Sequence, residues 1–424
     1  MRGPTPEPHP ASWPEPLALL LGEPARGLLA AATAAAGADL VRCRPRQVNH
    51  QPGSSTTVQY RVDARWPDGR TSAETFVARI GRGAPRGTAT FTLGSHQASV
   101  WRWPHDPGLP GLADALDRDR LAGLFDSLGL DPGAPEVRVR AHRPGRRAVV
   151  EVRGPRHRLF LKVVRPDRAE ALHRRHRLLA GHLPVPESLG WTDAGVVVLT
   201  ALPGRTLRDA LRSGGPLPEP STVTGLLDAL PASLAAGPAR RDLVAAAGHH
   251  AEVIADHLPA ARTRLARLRD ALEPFALPDG HAVAPVHGDL YEAQLLVSGD
   301  RIVGLLDVDT AGPGCRVDDL ANFVGHLSVL GLGLGRTAAV NRWGAALLRE
   351  AERRHDRREV RHRVAAAIVG LATGPFRVLE PGWPDATLRR LDLARDWIAG
   401  ASRRGADERG LTSGSRRPHV AAAS

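Results

Sequence analysis

Apolar positions recur at helical spacing over residues 17–36, a leucine- and alanine-rich stretch ending near Gly37, and this predicts a helix. The period then changes to two. Val58, Tyr60 and Val62 alternate with polar residues, Pro67-Asp68-Gly69 marks a turn, and Phe76 to Ile80 is a second apolar run, so residues 45–80 predict strands. Residues 104–111 predict a loop and 112–128 a helix that stops at Gly129. A second strand region covers 137–164, a helix opens at Pro166-Asp167 and runs to 183, and the continuous apolar strand 196–202 is ended by Pro203-Gly204. Beyond that the pattern is helical at about 205–213, 220–235, 239–272, 318–333, 336–355, 359–373 and 386–401, with one β segment inside it at 283–309. Strands first and helices later predict an α+β chain of two lobes, not alternating βαβ units.

The two strand regions echo each other. His50-Gln51-Pro52-Gly53 is followed by a strand and then Phe76-Val77-Ala78-Arg79; His142-Arg143-Pro144-Gly145 is followed by a strand and then Leu159-Phe160-Leu161-Lys162. Each is a Pro-Gly turn, a hairpin and a strand ending on a cation. The expected organisation is a flexible leader at 1–15, an N-terminal helix and cap at 16–130 that is either a degenerate copy of the next unit or an unrelated hairpin, a β-rich lobe at 131–203, a helical lobe at 204–402, and a polar, disordered tail at 403–424.

Composition narrows the function. The chain has 424 residues, 42% of them apolar, enough to bury a core. Its two cysteines, Cys43 and Cys315, are far apart, which argues against a disulfide framework or a thiolate metal site and for a reducing compartment. The N-terminus lacks the pattern of a signal peptide and the longest apolar stretch near it, 17–21, is too short to span a bilayer, so a cytoplasmic protein without membrane partners is expected. The net charge of +12 is dispersed: Arg353, Arg354, Arg357 and Arg358 alternate with Glu352, Asp356 and Glu359, as on a solvated helix face, and no nucleic-acid motif is visible. The histidines at 173 and 176, 249 and 250, and 355 and 362 are expected on exposed helix faces and not at a metal. Of 57 basic side chains all but Lys162 are arginine. A lone ammonium in such a background marks a place where a wide guanidinium fork does not serve.

The chemistry concentrates in Val286-His287-Gly288-Asp289-Leu290-Tyr291-Glu292-Ala293-Gln294-Leu295-Leu296-Val297, then Ile302-Val303-Gly304-Leu305-Leu306-Asp307-Val308-Asp309, then Asp318-Asp319-Leu320-Ala321. Alone, His-Gly-Asp reads as a surface turn; the joint pattern does not. Over roughly 137–400 it resembles the aminoglycoside phosphotransferase and choline-kinase group of the protein-kinase-like fold, with some maltokinase-like features. The resemblance implies a two-lobed kinase-like fold and an ATP- and Mg²⁺-dependent transfer of a phosphoryl group to a hydroxyl of a small molecule. The protein's part in such a transfer is to position the groups and neutralise charge.

On that resemblance Asp289 is the catalytic carboxylate that orients the attacking hydroxyl and accepts its proton, and Gln294 and Asp307 supply oxygen ligands to Mg²⁺. His287 braces the loop and Asp319 holds it through backbone hydrogen bonds. Lys162 binds the ATP phosphates and pairs with a helix carboxylate, for which Glu170 is preferred to Asp167. The turn at Gly145 covers the phosphates, and Thr200 to Leu202 form the hinge that offers backbone groups to adenine. Two positions depart from the family pattern: Gln294 stands where asparagine is usual, as in maltokinases, and Cys315 stands where aspartate is usual. They motivate a second reading, a catalytically weak pseudokinase that senses nucleotide or binds a partner. The arginine excess in 320–400 disfavours a polycationic acceptor and suits a neutral or anionic hydroxylated one.

Overall fold

The computed structural model describes residues 8, 12–82, 87–131, 133–237, 242–278, 283–333 and 338–401. The expected tail at 403–424 and most of the expected leader lie outside these residues. The end of that leader does not hang free: Trp13 donates from Nε1 to the His257 carbonyl at 3.0 Å and meets the Phe376 ring edge-on.

The predicted first helix is two, α1 (Glu15–Leu21) and α2 (Pro24–Ala35), because Gly22 takes an extended conformation and Pro24 restarts the chain. The pair bends by 60° and buries Leu17, Leu20, Leu28 and Leu29; among the described residues no single helix is long and apolar enough to cross a membrane. Then come β1 (Asp39–Gln51), β2 (Ser55–Arg65), β3 (Thr71–Gly81), β4 (Ala89–Leu93) and β5 (His96–Arg102), an antiparallel sheet of order β1-β2-β3-β5-β4. The hairpin of β4 and β5 was not expected, although its turn at Gly94, with φ of 60°, lies between alternating segments. Its inward faces carry Leu93, Ala98 and Val100.

The helix expected at 112–128 is also split, into α3 (Gly111–Asp114) and α4 (Arg118–Ser127), because Asp117 turns the chain and caps α4 by accepting from the amides of Asp119 and Arg120. A second antiparallel sheet follows from β6 (Glu136–Arg143), β7 (Arg147–Arg153) and β8 (Arg158–Val164), then α5 (Pro166–Ala180), β9 (Ser188–Trp191) and β10 (Val196–Thr200), in the order β6-β7-β8-β10-β9. Its two faces are covered separately. Leu112, Leu121 and Phe125 pack with Val150, Leu161 and Val198 on one side; Ala169 and Leu172 of α5 pack with Val164, Val197 and Leu199 on the other.

Gly204, at φ of 98°, joins this lobe to the next at a point where a side chain would strike the Val297 carbonyl. The helical lobe holds α6 (Leu207–Ser213), α7 (Ser221–Asp228), α8 (Leu243–His257), α9 (Arg262–Leu272), α10 (Arg316–Gly333), α11 (Ala338–Arg354), α12 (Arg357–Leu371), α13 (Gly374–Arg377) and α14 (Trp383–Ala401). The long helix expected at 239–272 breaks at Leu258-Pro259, where proline cannot continue the ladder. Set among the helices are β11 (Arg205–Thr206), which pairs with β13 (Leu295–Ser298) and through it β14 (Arg301–Leu305), and β12 (Ala284–Val286), which pairs with β15 (Gly312–Gly314). The architecture is α+β: a β-rich lobe and a helical lobe, with an added cap of sheet and helices. Cap and helical lobe share one continuous buried cluster, running from Leu17 and Val58 to Phe323 and Trp397. Polar anchors join them as well, with His50 Nε2 2.9 Å from Asp256 Oδ2 and His249 Nε2 3.1 Å from Gln51 Oε1.

Candidate active site

The loop between β12 and β13 carries His287, Gly288 and Asp289. Gly288 sits at φ of 81°, a conformation glycine adopts without cost, and this lets the chain reverse before Asp289. The buried Asp319 carboxylate, on the first turn of α10, accepts from the His287 amide at 2.6 Å and the Gly288 amide at 2.7 Å. His287 in turn reaches the Leu306 carbonyl through Nε2 at 2.9 Å, and its carbonyl accepts from Thr310 Oγ1 at 3.0 Å. The loop is therefore fixed from both sides. The Asp289 side chain is left without a hydrogen bond or ion pair among the described residues. Burial, and then the nearby Asp307, push its carboxyl up to about 6 against the opposing pull of His287, Arg147 and Arg143.

Asp307 follows β14 and has φ of 57° and ψ of 45°, a left-handed conformation that costs a non-glycine residue energy and that aspartate tolerates better than most. Its Oδ1 accepts from Lys162 Nζ at 2.6 Å and from Arg147 at 2.9 Å, and its Oδ2 lies 3.3 Å from Gln294 Nε2. Burial opposes its ionisation, but Lys162 and Arg147 outweigh that and hold the carboxyl well below the usual range. Lys162 also bonds Asp309, whose carbonyl accepts from Arg175 of α5 at 2.7 Å. Residues from two regions far apart in sequence thus converge: Arg147 and Lys162 on the sheet, and, from one hairpin, Asp289 and Gln294 on its loop with Asp307 and Asp309 after β14.

Glu170 is not among them. It pairs with Arg174 one turn along α5 at 2.9 Å and is more than half exposed, so the expected helix partner of Lys162 is corrected. The buried stripe of α5 runs through Ala169, Leu172, His176 and Leu179, and 170 falls one residue off it. Asp307 and Asp309, from the other lobe, take that place. Gly145 is at its expected turn with φ of 66°, but its amide donates to Asp106 Oδ2 at 2.8 Å and so is not turned into the cleft. The same buried Asp106 lies 3.1 Å from His142 Nε2 and accepts from the Gly108 amide at 2.9 Å, so the loop before α3 buttresses the turn from behind. At the hinge, the Thr200 amide is tied to the Glu187 carbonyl at 2.9 Å, and the Thr200 hydroxyl accepts from the Glu187 amide at 2.9 Å. Leu202, by contrast, makes no backbone hydrogen bond among the described residues. The histidine pairs are not all exposed as expected. His176 is buried against the Pro186 carbonyl and pushed down to about 4 by that burial, and His362 stacks on Phe275.

Gln294 donates from Nε2 to Asp307 Oδ2 at 3.3 Å; with the amide turned over its carbonyl oxygen would stand beside that carboxylate, Asp309 and Asp289 lie close by, and such a set of hard oxygens fits Mg²⁺. Among the described residues no group of three or more histidines, cysteines and carboxylates stands together as a protein-only metal cage. A site of one or two protein ligands is the usual form for Mg²⁺ that also binds phosphates. Arg147, Asp309, Arg175 and Asp106 had not been singled out from sequence. Arg147 and Asp309 had a readable signal, being next to a turn and to Asp307; Arg175 and Asp106 act through contacts that no local pattern announces.

No curated protein sequence matches the chain. Among solved structures it is similar to a macrolide 2'-phosphotransferase from Brachybacterium faecium, at 23% identity and TM-score 0.41, with 65% of this chain and 98% of that one covered. It is similar also to an aminoglycoside phosphotransferase crystallised with ADP and hygromycin B, at 15% identity and TM-score 0.46, over 66% and 98% of the two chains. The model of the phosphotransferase enzyme family (APH) matches residues 138–367, more than half of the chain, and covers Lys162, Asp289, Gln294 and Asp307 in one span. This protein therefore belongs to the APH phosphotransferase family.

Proposed function

We propose that the protein transfers the γ-phosphoryl group of ATP, with Mg²⁺, to a hydroxyl of a small molecule. One observation supports this above the others: Lys162, 145 residues away in sequence, meets Asp307 at 2.6 Å beside an unpartnered Asp289. Asp289 receives the proton of the attacking hydroxyl as its oxygen bonds to the γ-phosphorus; the bond from that phosphorus to the β-bridging oxygen breaks and ADP leaves. Lys162 and Arg147, bonded to Asp307 in this structure, are the cations available to the triphosphate. Gln294 and Asp307 would hold Mg²⁺, which when bound neutralises phosphate charge. Leu202 leaves a donor and an acceptor for adenine, with Thr200 holding the strand end.

Asp289→Asn tests the assignment. Replacing a general base lowers kcat by about 10²–10⁴-fold, measured as ADP release with a panel of hydroxylated metabolites. The wild-type kcat/KM falls as pH drops through about 6, because protonated Asp289 cannot accept a proton. The same substitution raises Tm by roughly 2–5 °C at neutral pH. A folded carboxyl whose pKa is raised costs stability as pH rises from its ordinary value to about 6, the loss is complete at neutral pH, and asparagine removes the charge. Nucleotide binding with no turnover of any hydroxylated compound, unchanged by Asp289→Asn, would instead identify a pseudokinase.

A further inference from the structure

The β6–β7 turn has two sides. Arg147, the first residue of β7, bonds Asp307, whereas Arg146 in the turn itself lines a cleft against the cap. Arg143 from the other arm of the turn and Arg377 at the end of α13 line the same cleft, which is narrow, about 50 Å³, and opens to solvent. Opposite them the cap presents four neutral polar side chains: Gln47 and Asn49 on β1, Thr57 and Gln59 on β2. Gln47 is paired with Gln59 and Asn49 with Thr57 across the ladder, so the four form a square on one face, while Val48 and Val58 between them are buried in the cap core.

The charge in this cleft is uncompensated. No aspartate or glutamate lines it, and among the described residues none of the three guanidiniums has a hydrogen bond or ion pair to its side chain. Most other arginines near the site are paired; Arg147, Arg175 and Arg208 each bond an oxygen of the protein. Clustering like charges without a counter-ion destabilises a protein unless a ligand supplies the opposite charge. Desolvation in the cleft, and then Arg143 and Arg146, lower the pKa of Arg377, and the field of Arg143 extends to the Asp289 carboxyl.

We infer that this cleft between cap and turn binds the acceptor, and that the acceptor is a hydroxylated compound bearing a phosphate or carboxylate group. The guanidiniums clamp the anionic group through charge-assisted hydrogen bonds, and the amides and hydroxyl of the cap sheet hold the polyhydroxylated body. Cationic acceptors are repelled. The inference rests on the phosphotransferase reading, and the cap becomes the part of the molecule that selects the substrate.

The test is calorimetric titration of the full chain, first with AMP-PNP and Mg²⁺, then, with those bound, with glucose, glucose 6-phosphate, gluconate and glucosamine. Glucose 6-phosphate or gluconate is expected to bind at least tenfold more tightly than glucose, glucosamine more weakly than glucose, and the anionic preference to fall with rising salt. Which of the two anions leads separates a phosphate from a carboxylate acceptor. Arg377→Ala is expected to weaken the anionic probe at least tenfold while shifting AMP-PNP affinity less than twofold; Arg377 is exposed at a helix end, and Arg377→Lys restores part of the loss. Anionic and neutral probes binding alike, or none of the four binding, overturns the inference. So does a loss confined to AMP-PNP, which would assign the arginines to the nucleotide. Failure of AMP-PNP to bind the wild type overturns the phosphotransferase reading itself, a separate outcome.

Discussion

The two five-stranded sheets have the same strand order, β1-β2-β3-β5-β4 and β6-β7-β8-β10-β9, and the same opening turn, with Gly53 and Gly145 both at φ of 66°. The register matches too. Thr57, four residues past Gly53, pairs with Arg79, and Val149, four residues past Gly145, pairs with Lys162. Arg79 and Lys162 thus hold equivalent places in equivalent sheets, yet only one meets chemistry. Lys162 faces the carboxylates of Asp307 and Asp309; Arg79 reaches the Arg82 carbonyl at 3.1 Å and has no acidic partner among the described residues. The histidines of the turns differ likewise. His142 leans on Asp106 within its own lobe, whereas His50 leans on Asp256 of α8 and ties the cap to the helical lobe. A scaffold decides where a cation stands; what faces it decides whether it acts.

Substitutions at paired positions can break this comparison. Lys162→Ala is expected to lower kcat/KM for ATP about 10²–10³-fold, and Lys162→Arg to recover only part of that, since a planar guanidinium does not reproduce the compact charge of an ammonium. His142→Ala loosens the turn held by Asp106 and should raise KM for ATP about tenfold with a smaller change in kcat. His50→Ala removes hydrogen bonds to Thr56 at 2.8 Å and Asp256 at 2.9 Å and should cost about 1–3 kcal/mol in denaturant unfolding, with ATP kinetics little changed. Arg79→Ala should move kinetics less than twofold. If Arg79→Ala matched Lys162→Ala, the two sheets would not be functionally distinct.

Much of the site was legible in the sequence because its signals are local. The tripeptide at 287–289, the amide at 294 and the strand ending at Asp307 lie within one hairpin, and the solitary lysine was marked by composition alone. Glu170 was misjudged because a helix start supplies acids for electrostatic reasons whether or not they face a site, and only the helical phase separates the two cases. Four predicted helices proved to be broken, at Gly22, Asp117 and Pro259 and, in the stretch 220–235, before Pro231, where α7 has already ended at Asp228 and only a short 3-10 turn follows. The β4–β5 hairpin was overlooked although its alternation is readable. The Asp106 buttress and the cleft facing Gln47 and Arg377 could not be read, because they arise where separate elements pack together.

The shared core described above has a mechanical consequence. Leu17 and Val58 of the cap are continuous with Phe323 and Trp397 of the helices, while one face of the sheet bearing Lys162 forms a separate cluster in which Val150, Leu161 and Val198 pack with Leu112 and Phe125 of α3 and α4. Cap and helices are therefore packed as one body, and the middle sheet is tied to it by Leu179 and Leu183 at the end of α5 and by the chain crossing at Gly204.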